Sequence, residues 1–411
     1  LDAALERVDQ RRHLRQSDTT LRTRSGGIRR LSAAIDIGHV DLPPERVEMR
    51  ECLVETPPVR VFRCVARGAT FTCKVLSATA DKAHREMARR EINVLAQLSH
   101  RNVVQFAGQH QVGRELRVYL EFFLTTLADV LSIKRDESTP LDAAEVATFS
   151  LEIARALRYL HSLDSPVVHL ILTPEDVFYQ ADDYHDTVVL KLGNFGEARR
   201  MAHRSRSDLS SSMSTSAQSS TSTSASPRPT DDTPRKMSPA DSPARRAAAR
   251  AAKGNKSNDK SNDRSSKSSE RVVKSLLPDR WFQDLSERLG APAALVAPEL
   301  HARSPVEFSD RADIWSAGLI LHELVTQRTP YSLEGVAWYD VAKLVQKGVP
   351  PKRNDSLSRL KEPSLQPALR ILDRCLVKNP QDRPSAARLC TSLSRWRRVV
   401  KPSKSNRKLA R

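Results

Sequence analysis

Apolar and polar residues alternate through Val59-Arg60-Val61-Phe62-Arg63-Cys64-Val65, and a second β-rich run, Thr70-Phe71-Thr72-Cys73-Lys74-Val75-Leu76, follows it directly. Together they predict paired strands within residues 47–76. Over 80–98 the period changes. Ala83, Met87, Ile92, Leu95 and Leu98 recur near 3.6-residue spacing among charges, as an amphipathic helix requires. Strand-like runs return at 103–109 and 116–122. Beyond Leu124 the helical period dominates: Val146, Phe149, Ile153, Leu157 and Leu160 share one face over 143–163. Further helices are predicted over 310–327, 336–346, 365–377 and 386–396. The pattern predicts an α+β chain, a small sheet with one helix followed by a larger helical part.

That pattern stops between Arg199 and Lys274. The segment has no Phe, Trp or Tyr and runs through tracts such as Ser210-Ser211-Ser212, so it cannot bury enough apolar surface to offset ordering entropy and is expected to be disordered. Order returns at Leu276-Leu277-Pro278, with Trp281, Phe282, Leu285 and Leu289 at helical spacing. Residues 1–44 read as a basic arm and 401–411 as a basic tail.

Charge refines the picture. The chain carries a formal +18, of which about +10 lies between Arg199 and Lys274, so the folded parts are much closer to neutral. Basic tails attract acidic partners, RNA or anionic lipid without specificity, and more often only solubilise. The five cysteines show no CxxC spacing, which suits a reduced, intracellular protein without a zinc site. No apolar run approaches the roughly 18 residues that span a bilayer. The first residue is Leu1 rather than Met, which suits a fragment or a processed product.

Within this frame stand His169-Leu170-Ile171-Leu172-Thr173-Pro174-Glu175-Asp176 and, after a short β-like stretch, Leu192-Gly193-Asn194-Phe195-Gly196. Lys74 lies near the end of the second β-rich run, and Glu91 lies on the following helix. Ala297-Pro298-Glu299, Asp313-Ile314-Trp315-Ser316-Ala317-Gly318 and Arg383 in Asn379-Pro380-Gln381-Asp382-Arg383-Pro384 come later. Taken singly, a strand-end lysine and a solvated glutamate would be unremarkable. In this order the motifs resemble a eukaryotic protein kinase domain over roughly residues 47–400, with a weaker resemblance to its tyrosine-kinase-like group.

The resemblance implies a two-lobed kinase-like fold: an N-lobe over 45–123, a C-lobe over 124–199 and 275–400, and the 200–274 insert inside the activation segment. It implies a phosphate-gripping pair at Lys74 and Glu91, a nucleotide-facing cleft at Val61, Thr72, Leu120, Glu121 and Phe122, and structural roles for His169, Phe195, Gly196, Glu299, Asp313 and Arg383. Leu95 joins His169 and Phe195 where the family stacks a hydrophobic spine.

The reactive positions depart from the family. Ile171 stands where the catalytic base belongs, and an alkyl group has no lone pair with which to take a proton; a positioned base is typically worth roughly 10² to 10⁴ in rate. Thr173 replaces the catalytic-loop lysine. Asp176 and Asn194 stand at the two metal-ligand positions with a carboxylate and an amide exchanged, a weak or absent Mg²⁺ site. Glu55-Thr56-Pro57-Pro58 occupies the glycine-rich loop without a glycine, which removes backbone donors, and Thr72 replaces a small alanine. Leu170 replaces the arginine that clamps a phosphorylated activation loop.

The leading expectation is therefore a pseudokinase: a signalling scaffold or allosteric regulator with no catalytic residues, weak or absent ATP binding, and protein partners, with an active kinase as one candidate. A residually active Ser/Thr kinase using Lys74, Asp176 and Asn194 is the alternative, and a nucleic-acid-associated protein is the third reading. The basic insert would meet acidic partners. Ser226, Thr233, Ser238 and Ser242 each precede a proline, and Ser32 follows Arg29-Arg30-Leu31, so these five are the candidate phosphosites. A cytoplasmic location is expected, or a nuclear one drawn by the basic tracts.

Overall fold

A computed structural model describes residues 44–182, 187–201, 275–302, 306–353 and 358–400. Residues 1–43, 202–274 and 401–411, which hold almost all of the predicted arm, insert and tail together with Ser32, Ser226, Thr233, Ser238 and Ser242, lie outside the described residues. The N-lobe is a five-stranded antiparallel sheet of β1 (Glu48–Thr56), β2 (Val59–Ala66), β3 (Ala69–Leu76), β4 (Phe106–Val112) and β5 (Glu115–Glu121), in the order β1-β2-β3-β5-β4. Thr56 pairs with Val59, so the first hairpin turns on Pro57-Pro58. One helix, α1 (Lys82–Leu95), lies between β3 and β4. Asp81 caps it by accepting the backbone N–H of His84 at 2.8 Å, and Ile92, Val94 and Leu95 are buried. Val47, Cys64, Phe71, Cys73, Val75 and Tyr119 form a small separate core within this lobe.

The predicted strand at 103–109 begins three residues late. Val103 and Val104 are buried as their composition demands, yet Val103 forms a parallel bridge to Leu192, outside the sheet.

The C-lobe is mainly helical: α2 (Leu127–Asp136), α3 (Ala143–Ser162), α4 (Trp281–Leu289), α5 (Arg311–Thr326), α6 (Trp338–Lys347), α7 (Gln366–Cys375) and α8 (Ala386–Val399). A capping box joins Asp142 and Glu145 at the start of α3, and the predicted stripe Val146, Phe149, Ile153, Leu157 and Leu160 is buried. α5 is buried on nearly every face, as a helix at the centre of a lobe must be. Short strands complete the lobe: β6 (Thr125–Thr126), β8 (Val177–Asp182) and β9 (Thr187–Leu192) form one sheet, β7 (Val167–Val168) pairs with β10 (Arg199–Arg200), and β11 (Ser275–Leu276) pairs with β12 (Glu307–Phe308). Among the described residues no helix is long and apolar enough to cross a membrane.

Candidate active site

The β8–β9 hairpin builds the site. Val177 pairs with Leu192, and the ladder continues one step as Gly193 N–H donates to Asp176 O at 2.9 Å. Asp176 and Asn194, 18 positions apart, thereby become neighbours: Asn194 Nδ2 donates to Asp176 Oδ1 at 2.8 Å. Gly193 is required here because a Cβ would stand 2.6 Å from the Phe178 ring. Asn194 adopts the left-handed conformation, φ 59° and ψ 48°, which asparagine tolerates better than most residues.

From Asn194 the polar chain extends in both directions. Its Oδ1 accepts from Lys74 Nζ at 2.8 Å, and Lys74 Nζ also lies 2.7 Å from Glu91 Oε1, so strand β3 and helix α1 join the C-lobe through one ammonium group. On the other side, Asp176 Oδ2 accepts from the Thr173 N–H at 2.9 Å and the Thr173 hydroxyl at 3.0 Å. Both oxygens of Asp176 are thus held by protein donors. Burial raises the Asp176 carboxyl above its ordinary range, against the opposing effects of His169, Asn194 and Thr173.

The loop before Thr173 is held from below by Asp313, a fully buried carboxylate on α5. It accepts from the backbone N–H groups of His169 at 3.0 Å and Leu170 at 2.9 Å, and contacts His161 Nε2 at 2.8 Å. Leu170 has φ 70°, an uncommon conformation for a side chain of its kind, sustained by these bonds. The loop therefore presents its next side chain on a fixed backbone. That side chain is Ile171, an alkyl group facing a cavity of about 400 Å³ bounded by Glu175, Leu319 and Trp338.

Phe195 is fully buried against His169, with ring centroids 5.0 Å apart, and Leu95 is buried as well. His169 Nε2 lies 2.9 Å from Gly193 O. Arg383 grips Glu299 with two parallel bonds of 2.8 and 2.7 Å and also donates to the carbonyls of Val377, Lys378 and Arg311. Its guanidinium lies over the Trp315 ring, 5.3 Å from the centroid.

Above Asn194 lies a cleft of about 420 Å³ lined by Val61, Thr72, Lys74, Leu120 and Glu121. Phe122, expected in the same lining, is not part of it; Phe123 and Leu124 face the cleft instead, because β5 ends at Glu121 and the alternation of faces ends with it. Leu53 and Val54 of β1 also line the cleft and were not foreseen, although the strand pattern around them was a usable signal. Glu121 is clamped by Lys191, whose Nζ lies 2.7 Å from each carboxylate oxygen.

A β-rich lobe, a Lys–Glu pair joining its sheet to its helix, a helical lobe below and a buried Arg–Glu pair match what one family builds, and the sequence matches the protein kinase domain family over residues 59–227 and 284–393. The chain belongs to the protein kinase domain family. Relatives of this kinase domain include the Kinase and exchange factor for Rac B of Dictyostelium discoideum, 30% identical over 144 residues, which cover 35% of this chain and 12% of that protein. The Putative mitogen-activated protein kinase kinase kinase 7-like of Drosophila melanogaster is 28% identical over 127 residues, 31% of this chain and 30% of its own length. Human Calcium/calmodulin-dependent protein kinase type IV is 29% identical over 148 residues, 35% of this chain and 29% of its own. The matched part of the kinase domain spans less than a third of each of these relatives.

Proposed function

We propose that this kinase domain is a pseudokinase that does not transfer phosphoryl groups and works as a signalling scaffold or allosteric regulator of protein partners. One observation carries the reading: Ile171 occupies the base position on a backbone that Asp313 fixes at His169 and Leu170. A loop held in this way cannot easily rotate another residue into that place, and Ile171 cannot accept a proton. Asp176 is no substitute, since Asn194 and Thr173 occupy both its oxygens.

The donor set at Asp176 and Asn194 also does not fit Mg²⁺. A hard dication needs several free oxygens, whereas here a single carboxylate is already satisfied and the neighbouring amide oxygen is bonded to an ammonium. The upper cleft, with Lys74 and Glu91 paired beneath it, suits weak, metal-independent occupancy by a nucleotide at most.

Two measurements on the purified chain test the reading. Transfer of labelled phosphate from ATP to a general protein substrate should stay at the level of buffer with either Mg²⁺ or Mn²⁺, and the Ile171→Asp variant controls for the missing base. Thermal unfolding with ATP should show no shift that depends on divalent metal. Turnover above background that is lost in Lys74→Met would overturn the proposal.

A further inference from the structure

Glu197 follows Phe195 and Gly196 in a single 3-10 turn, and its carboxylate is only 9% exposed. Three guanidinium groups from three elements converge on it. Arg288 of α4 donates to Oε1 at 2.5 Å, while Arg90 of α1 and Arg199 of β10 each approach Oε2 at 3.5 Å. Trp281 Nε1 adds a donor to Oε2 at 3.4 Å. Arg90 also donates to Gly196 O, and Arg199 to the carbonyls of Glu197 and Ala198.

Three positive charges therefore face one buried negative charge. Glu86 is within electrostatic reach of Arg90, but it is half exposed and pairs with Lys82 at 3.8 Å, so it compensates little. Burial and the charge of Arg90 push the Arg199 guanidinium down to about 10, as crowding of like charges requires. The second terminal nitrogen of Arg288 contacts the Met87 thioether at 2.7 Å, a weak acceptor for a charged donor. Such a cluster demands an anion, and a planar guanidinium favours an oxyanion.

We infer that Arg90, Arg199 and Arg288 form an oxyanion site whose occupant is the chain's own Glu197 carboxylate, and that this internal ion holds helix α1 where Glu91 meets Lys74. Arg90 immediately precedes Glu91, so the clasp acts one residue from the pair it positions. Gly196 packs against the same helix: a Cβ there would stand 3.3 Å from Met87 Cε. Glu197 and Arg199 precede the 200–274 insert and Arg288 follows it, so one carboxylate ties both flanks of the activation segment to the N-lobe. The clasp needs no added phosphate, which agrees with a chain that carries Leu170 where the family resemblance places a phosphate-clamping arginine.

The test is chemical rescue at constant ionic strength. In Glu197→Ala the thermal midpoint should fall by several degrees, and amide exchange over residues 87–95 should quicken at least tenfold. Inorganic phosphate should reverse both effects in a saturable way, while the unmodified chain should not respond. If Glu197→Ala does not fold, Glu197→Gln keeps the volume and loses the charge; Arg288→Gln should then be less harmful in the Glu197→Gln background than alone. The inference is overturned if phosphate leaves the variant unchanged, if it stabilises the unmodified chain equally, or if the two substitutions are additive.

Discussion

Lys74 donates to the side-chain oxygen of Asn194 across 2.8 Å, joining residues 120 positions apart in the sequence. Because the same ammonium meets Glu91 at 2.7 Å, with side chains 19% and 11% exposed, it is a nearly buried link between the lobes. Its removal leaves Glu91 with a partly desolvated, uncompensated charge. Lys74→Met should therefore destabilise the chain by about 2 kcal/mol, and Lys74→Met with Glu91→Leu should recover part of that loss. Urea unfolding of the two single variants and the double checks the coupling. Additive losses would show that the pair contributes little to the fold.

Arg383 makes a stronger case. Its side chain is fully buried, Glu299 is 16% exposed, and the guanidinium donates five hydrogen bonds, three of them to backbone carbonyls. Lysine cannot reproduce the two-pronged contact. Arg383→Met should cost about 3 to 5 kcal/mol, the range for a broken buried pair, and Arg383→Lys most of that. Glu299→Gln, which keeps one acceptor oxygen for Arg383 and turns the other into an amide donor, still leaves the guanidinium its three backbone carbonyls and should cost less than Arg383→Met. Chemical denaturation ranks the three variants, and an Arg383→Lys variant as stable as the parent contradicts the account.

Local pattern carried most of this architecture into the sequence. The stripes at 83–98 and 146–160 mark helices because burial of one face repeats every 3.6 residues, and the motifs around His169, Asn194, Glu299 and Arg383 sit where backbone geometry admits few alternatives. What pattern could not carry was partnership at long range. Glu197 reads as an ordinary loop carboxylate; nothing local shows that Arg90 and Arg288, 107 and 91 positions away, meet on it. Helix α2 fell within the general helical reading beyond Leu124 but showed no stripe of its own, because only Leu127 and Leu131 of its ten residues are buried. The Phe122 and Phe123 positions differ by one residue, and only the end of β5 decides which faces the cleft.

Asn194→Asp should convert a satisfied pair into a repelling one. The amide that now donates to Asp176 Oδ1 at 2.8 Å would become a second carboxylate, and the two would repel with only the Lys74 ammonium beside them, a charge already shared with Glu91. In EDTA the variant should unfold about 1 to 2 kcal/mol more easily than the parent. Millimolar Mg²⁺ should restore stability in proportion to the logarithm of its concentration, while the parent should be indifferent. Differential scanning calorimetry across a Mg²⁺ series separates the two, and an equal response in both chains rules out this description of the pair.

Burial of His301 and His322 is expected to make the fold sensitive to acid. Burial is the main cause in both, lowering each imidazole from 6.5 to about 4, even though Val296 O accepts from His301 at 3.0 Å and Lys352 O from His322 at 3.3 Å. Between pH 6.5 and 4 the unfolded chain binds protons that the folded chain refuses, so stability falls as pH falls through that window. Each histidine removes about 3 kcal/mol by pH 4. The raised carboxyls of Asp176 and Glu323, both lifted by burial, act in the opposite sense because the folded state holds their protons more tightly. Substituting the histidines isolates their share: His322→Gln should reduce the slope of unfolding free energy against pH by close to one proton near pH 5, and the double variant with His301→Gln by close to two. Equilibrium unfolding at half-unit pH steps reads the slope directly, and an unchanged slope in the double variant would place the acid sensitivity elsewhere.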